Sequence, residues 1–173
     1  MARPTEGTYH AIYQQRYIDA ALGENIKELI HNYSQPLIDF FKSIPENIGD
    51  YSYANGKWTI KQLLQHLIDT ERIFAYRALR FSRNDQTALA GFDEDNYAEN
   101  SPVAHRSLKS MIEEFIALRK STDLLLLSFT EEQLKMSGTA SGNYATVNAL
   151  CFIIFGHLLH HQNILIERYL SSC

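Results

Sequence analysis

The segment that most restricts what this chain can fold into is Val147–Leu170, "VNALCFIIFGHLLHHQNILIERYL". Thr146 stands in front of it as an N-cap, and no proline interrupts it. On a helical wheel, at about 100° per residue, Leu150, Ile153, Ile154 and Ile164 fall within roughly 60° of His157. Phe152, Phe155, Leu159 and Ile166 occupy the opposite side. A helix apolar on both faces is buried on both. The unbroken apolar run, Ala149 to Phe155, is too short to span a bilayer. The segment therefore reads as a central helix of an all-α domain. Its second face is covered either by the aromatic N-terminal segment or by another copy of the chain.

Three further segments carry helical periodicity. Glu24–Ser43 repeats Ile26, Leu29, Ile30, Tyr33, Leu37 and Phe40 at helical spacing, with Pro36 placed to kink it. Ile60 to about Phe81 follows Thr59 and Gln62, which have capping-box spacing. Trp58 and Leu63 sit where a hydrophobic staple would form; the alternative is that Trp58 lines a pocket. A third helix starts between Ser101 and Ser107 and runs to about Ser128, with Met111, Phe115, Leu118 and Leu125 on its stripe. "TEEQL" suggests a short helical turn. "SGTASGNYAT" reads as a glycine-rich loop without a phosphate-binding pattern, and no segment reads as a strand. The fold class expected is all-α, a four-helix bundle in one domain over residues 1–173, with residues 1–23 packing on it.

The long connection after the second helix, "SRNDQTALAGFDEDNYAENSP", is suited to covering a site. Its acidic part either contributes to that site or, the commoner fate of such runs, is solvated surface. The formal charge of −4, with no basic cluster, argues against nucleic-acid binding. Cys151 and Cys173 are too few for a disulfide framework or a cysteine zinc site. The N-terminal residues show no secretory h-region, and a cytoplasmic protein without membrane association is expected.

The chemistry concentrates on histidine. His157 and His161 are one turn apart on the same face, about 40° from each other, and His160 lies on their flank. Two imidazoles at i and i+4 can converge on one ion, but the segment reads HLLHH and lacks the glutamate of the metalloprotease HExxH pattern. Two ligands leave a site incomplete. The best third candidate is His66, because His10, His31 and His105 lie in polar or terminal stretches. His66 shares one edge of its helix with Thr59, Gln62, Asp69, Thr70 and Arg77, a polar seam beside Leu63, Leu67 and Phe74. Such a seam suits a pocket wall. Asp69 could then act as acid/base or hold a ligand from behind, or be a surface carboxylate. Arg77 on that seam is a candidate substrate contact. Arg168, two turns beyond His161, is another, although an ion pair at the bundle end is the commoner role. Spacing alone leaves each histidine open to being a satisfied core residue, and it does not bring His66 to the pair.

"WTIKQLLQHLIDTER" followed far downstream by "FGHLLHHQNILIERYL" resembles the DinB-like superfamily, in its branch of four-helix metal-dependent hydrolases. "YQQRYIDAALGENIKELI" and "FDEDNYA" are similar to that branch as well, so the resemblance covers almost the whole chain. It implies a down-up-up-down four-helix bundle, often homodimeric. It also implies one divalent metal ion, nickel or zinc, held by one histidine of the second helix and an HxxxH pair of the fourth. Carried over, these are His66, His157 and His161. Relatives in this superfamily include bacillithiol transferases and a mycothiol-dependent maleylpyruvate isomerase, in which a metal favours the thiolate of a low-molecular-weight thiol. The function expected is activation of a thiol, or of water, for attack on a small electrophile. The alternative is a non-catalytic metal- or ligand-binding bundle with a stress-related role.

Overall fold

The computed structural model describes residues 1–171. Helices α1 (Ile12–Ala20), α2 (Ile26–Ser43), α3 (Ile60–Ser82), α4 (Glu94–Glu99), α5 (Leu108–Leu127), α6 (Glu131–Lys135) and α7 (Val147–Ile164) are joined by one hairpin, β1 (Ser137–Ala140) and β2 (Asn143–Thr146). A turn of 3-10 helix follows α2 at Glu46–Ile48, and α7 widens into a π-helical end over Leu165–Leu170. The four long helices are α2, α3, α5 and α7. Helix α2 packs on α5 and α7, and α3 packs on the same two.

Side-chain pairings fix the directions. The start of α3 meets the segment leading into α5, where Lys61 Nζ donates to Arg106 O at 3.2 Å, and Arg72 pairs with Glu114 further along, so these helices run parallel. His66, early in α3, meets His157, late in α7, so that pair is antiparallel. Tyr33 in the middle of α2 lies 6.3 Å from Phe155 in the middle of α7. A parallel α3–α5 pair requires a long crossover, and this is the structural reason for the extended connection after α3.

The caps forecast from sequence are present. The Thr59 hydroxyl accepts from Gln62 N while Gln62 Oε1 accepts from Thr59 N. Thr146 caps α7 through Ala149 N. Helix α2 begins at Ile26 rather than Glu24, with Asn25 as its cap, and runs through Pro36. The N-terminus of α5 is held by Glu46, whose carboxylate accepts from Leu108 N and Lys109 N, both at 2.8 Å. A carboxylate there satisfies two orphan donors and faces the positive end of the helix.

The expectation of no strand is corrected. "SGTASGNYAT" forms the β1–β2 hairpin, with Ser141 at φ 51° and Gly142 at φ 73° as its two-residue turn. Two consecutive positive φ values are what a type I′ turn needs, and serine followed by glycine supplies them here. The hairpin is short, packs against α3 and leads into α7.

Helix α7 is the core of the molecule. Residues 147–158 are buried throughout. The window that has the length and composition of a membrane span is mostly buried inside the bundle. Its second face is covered within the chain by the N-terminal segment. Helix α1 packs along α7, and Arg3 lies over the Phe152 ring at 5.4 Å. The two backbones approach so closely at Gly156 that an added Cβ would stand 1.9 Å from Tyr17 O. Only glycine fits there. Ile166 on the same face is nearly half exposed. Cys151 is buried and free; Cys173 lies outside the described residues.

One charged cluster is sealed in the core. Arg119 on α5 is fully buried and pairs with Glu71 on α3 at 2.8 Å and with Asp123. Its guanidinium lies 4.7 Å from the Phe155 ring of α7. Burial pushes the Glu71 carboxyl up, and Arg119 pulls it back only in part.

Candidate metal centre

Helix α3 carries His66 six residues past its first position, and α7 carries His157 and His161 on the face turned toward α3. Because these helices are antiparallel neighbours, the three side chains meet near one end of the bundle. Each offers a ligand atom, and all three atoms lie within 4.8 Å of one another. His66 Nε2 and His157 Nε2 are 3.1 Å apart. The ring centroids lie 5.0 Å (His66–His157), 4.8 Å (His66–His161) and 4.6 Å (His157–His161) apart.

His66 and His157 are buried, and His161 is partly so. Burial strips water from the imidazolium form and holds all three neutral. His66 is pulled down to about 4 and His161 to about 3, in the latter case with the neighbouring imidazoles adding to burial. His157 falls well below the ordinary value for the same two reasons. Neutral imidazoles are the metal-ligating form. His161 Nδ1 is buried without a hydrogen-bond partner. Zinc–nitrogen bonds of about 2.0–2.1 Å put neighbouring nitrogens of a tetrahedral site roughly 3.3 Å apart. The three rings therefore fit one divalent ion after a small closure, with a position left over.

The surroundings come from several elements. Thr70 Oγ1, one turn beyond His66, lies 3.5 Å from His66 Nδ1. Tyr17 of α1 meets the His157 ring edge-on at 5.5 Å, and Phe74 meets it from α3 at 5.8 Å. The Trp58 ring is 5.0 Å from that of His66. Trp58 therefore borders the site, the alternative reading of this residue from sequence.

Asp69 is half-buried on the wall of a small cavity shared with Gln62, Gln65 and His66. It accepts from Gln65 Nε2 at 2.9 Å and lies 3.9 Å from Arg72, and burial raises its carboxyl above the usual range. The acidic connection closes that cavity. Its "EDNYAE" stretch is α4, capped by Asp93, with Glu94, Tyr97 and Ala98 facing Asp69 and His66.

Arg77 is buried away from the histidines. It donates to Ala90 O at 3.1 Å and Ser141 Oγ at 2.9 Å, clamping the crossover and the hairpin to α3. Arg168 is exposed and makes no ion pair among the described residues. It lies over the Tyr53 ring and donates to Tyr53 Oη at 3.3 Å. His160 is exposed and stacks on Tyr17 and His161 at the flank. His10, His31 and His105 are exposed and outside the cluster. Tyr17, Tyr53 and Tyr169 were not singled out as site residues by sequence, because their positions depend on packing between distant segments.

The comparisons agree with this architecture. YfiT from Bacillus subtilis, described as a probable metal-dependent hydrolase with an unusual four-helix bundle topology, superposes with a TM-score of 0.70 at 18% identity, over 84% of this chain and 89% of YfiT. The DinB-like protein YjoA of Bacillus subtilis superposes with a TM-score of 0.60 at 17% identity, over 86% of this chain and 92% of YjoA. At such identities the likeness speaks for the fold. A search of curated proteins gives no match. The sequence model of the DinB superfamily matches residues 30–165, which include α3, α5, α7, all but the first turn of α2, and the three histidines, and the chain belongs to that superfamily.

Proposed function

We propose that the chain is a metal-dependent enzyme. In this reading His66, His157 and His161 hold one divalent ion, nickel or zinc, and a low-molecular-weight thiol is delivered to a small electrophile. The observation that carries the reading is the convergence of three desolvated imidazoles on one point. A bound ion there would supply Lewis acidity, lowering the pKa of a thiol or water at the remaining position.

The other tasks fall to the chain's own side chains. Burial keeps the imidazole lone pairs free of protons. Thr70 steadies His66 from behind. Asp69, with a carboxyl raised by burial, takes the proton released by the nucleophile. Trp58, Tyr17 and Phe74 keep bulk water from the histidines. Hydrolysis is the second reading, with water as nucleophile; the description of YfiT favours it. We place the protein in the cytoplasm, where low-molecular-weight thiols are kept reduced. The homodimer implied by the family would have to use faces other than Phe152 and Phe155, which are already buried within the chain.

The test is conjugation of a cysteine-derived thiol to a chromogenic electrophile by tag-free protein loaded with zinc or nickel. Turnover should require the metal, vanish with chelator and be lost in His161→Ala. Asp69→Asn should lower turnover at unchanged metal content. Full metal occupancy with neither thiol conjugation nor ester hydrolysis would leave the non-catalytic bundle as the answer.

A further inference from the structure

Three cavities bear on substrate access. Those beside Asp69 and beside Arg77 have room for about one water each, near 10 Å³. The cleft that reaches His161 is of another size, about 270 Å³, and is lined by Tyr53, Lys57, Trp58, Asp95, His161 and Tyr169 among others. Ligand pockets run from about 300 to 1,000 Å³, so this one suits a single ring with a short chain.

Its walls are aromatic. The Tyr53 and Tyr169 rings meet edge to face at 4.9 Å, and the Trp58 ring touches His66 at the floor. Aromatic walls favour a planar guest.

Charged side chains border it. Asp95 lies on its wall together with His161. Arg168 acts on Tyr53 and Tyr169, and its guanidinium is held over Tyr53. Lys57 also borders the cleft and is exposed. Neither Arg168 nor Lys57 forms an ion pair among the described residues. Lys57 on the cleft wall and Arg168 beside it at Tyr53 are thus two cations without a carboxylate partner among the described residues, the second already positioned by a ring and a hydroxyl.

We infer that the cleft binds a small aromatic carboxylate, with its ring between Trp58 and the Tyr53–Tyr169 pair, its carboxylate at Arg168 and Lys57, and its other end at His161. This deepens the proposed function and rests on the three histidines being the reaction centre. The recognition itself belongs to the cleft and can be measured without turnover.

Trp58 is the chain's single tryptophan, so its fluorescence reports on the cleft directly. Zinc-loaded and metal-free protein would be titrated with 3-phenylpropionate and with its neutral amide at constant ionic strength. Saturable change with the carboxylate is expected, about fivefold tighter than with the amide. Arg168→Gln, a surface change, should erase that preference and leave amide binding and metal content as they were. Lys57→Gln should reduce it in part. No saturable signal with the carboxylate, equal affinity for carboxylate and amide, or an unchanged preference in the Arg168→Gln/Lys57→Gln double variant would each overturn the inference. Failure of the histidines to take up metal would appear in the metal content instead, and would sink the reaction-centre reading separately.

Discussion

His66 Nε2 and His157 Nε2, ninety-one positions apart in the chain, lie 3.1 Å apart between two antiparallel helices. Both rings are neutral and buried, so two lone pairs can face each other only if a proton or a cation lies between them. The predictions below follow from that pair and from the packing that brings it together.

Tag-free protein should take up one zinc or nickel ion per chain. His66→Ala, His157→Ala and His161→Ala should each weaken binding by at least about tenfold, while His160→Ala should not, because His160 points along the flank. Elemental analysis and calorimetric titration measure this. Equal losses in His160→Ala and His161→Ala would contradict the assignment.

Metal-free protein should lose stability as pH falls from about 6.5. Unfolded, each imidazole takes a proton near 6.5; folded, His66 waits until about 4 and His161 until about 3. The unfolded chain therefore binds more protons in that window, and stability drops by up to about 1.4 kcal/mol per pH unit for each histidine. Above about 6.5 the contribution is complete. Melting temperatures across this range should slope downward toward acid, and His66→Gln should flatten the slope. A flat wild-type profile would count against a buried neutral cluster.

Gly156→Ala should cost about 1–3 kcal/mol, since its Cβ would meet Tyr17 O at 1.9 Å and backbone cannot yield as a side chain does. Displacing α1 also moves Tyr17 from the edge of His157, so metal affinity should fall along with the melting temperature. Wild-type stability in this variant would mean that α1 is not held against α7.

Arg119→Met should destabilise the fold by about 3–5 kcal/mol, because it leaves the Glu71 carboxyl buried without its partner. Glu71→Leu together with Arg119→Met should recover most of the loss. Denaturant unfolding of the single and double variants decides between a pair that is costly only when broken and one that contributes net stability.

Much of the architecture was legible in the sequence because it depends on local chemistry. The Thr59–Gln62 capping box, the Thr146 cap, the two apolar faces of Val147–Leu170 and the i, i+4 pairing of His157 with His161 are all set within one or two helical turns. The β1–β2 hairpin was missed because four-residue strands carry almost no periodicity, and Ser141–Gly142 alone was too weak a turn signal.

What spacing could not supply was everything set by which helix lies beside which. The resemblance to the DinB-like family pointed to His66, but only the antiparallel packing of α3 on α7 puts its ring beside His157. The same packing turns Trp58 toward the site, folds the acidic crossover into a cover beside Asp69, and commits Arg77 to the hairpin while leaving Arg168 over the Tyr53 ring. Helical periodicity says which face of a helix is buried. The partner of that face is chosen by the sum of many weak contacts across the bundle, and no short stretch of sequence contains that sum.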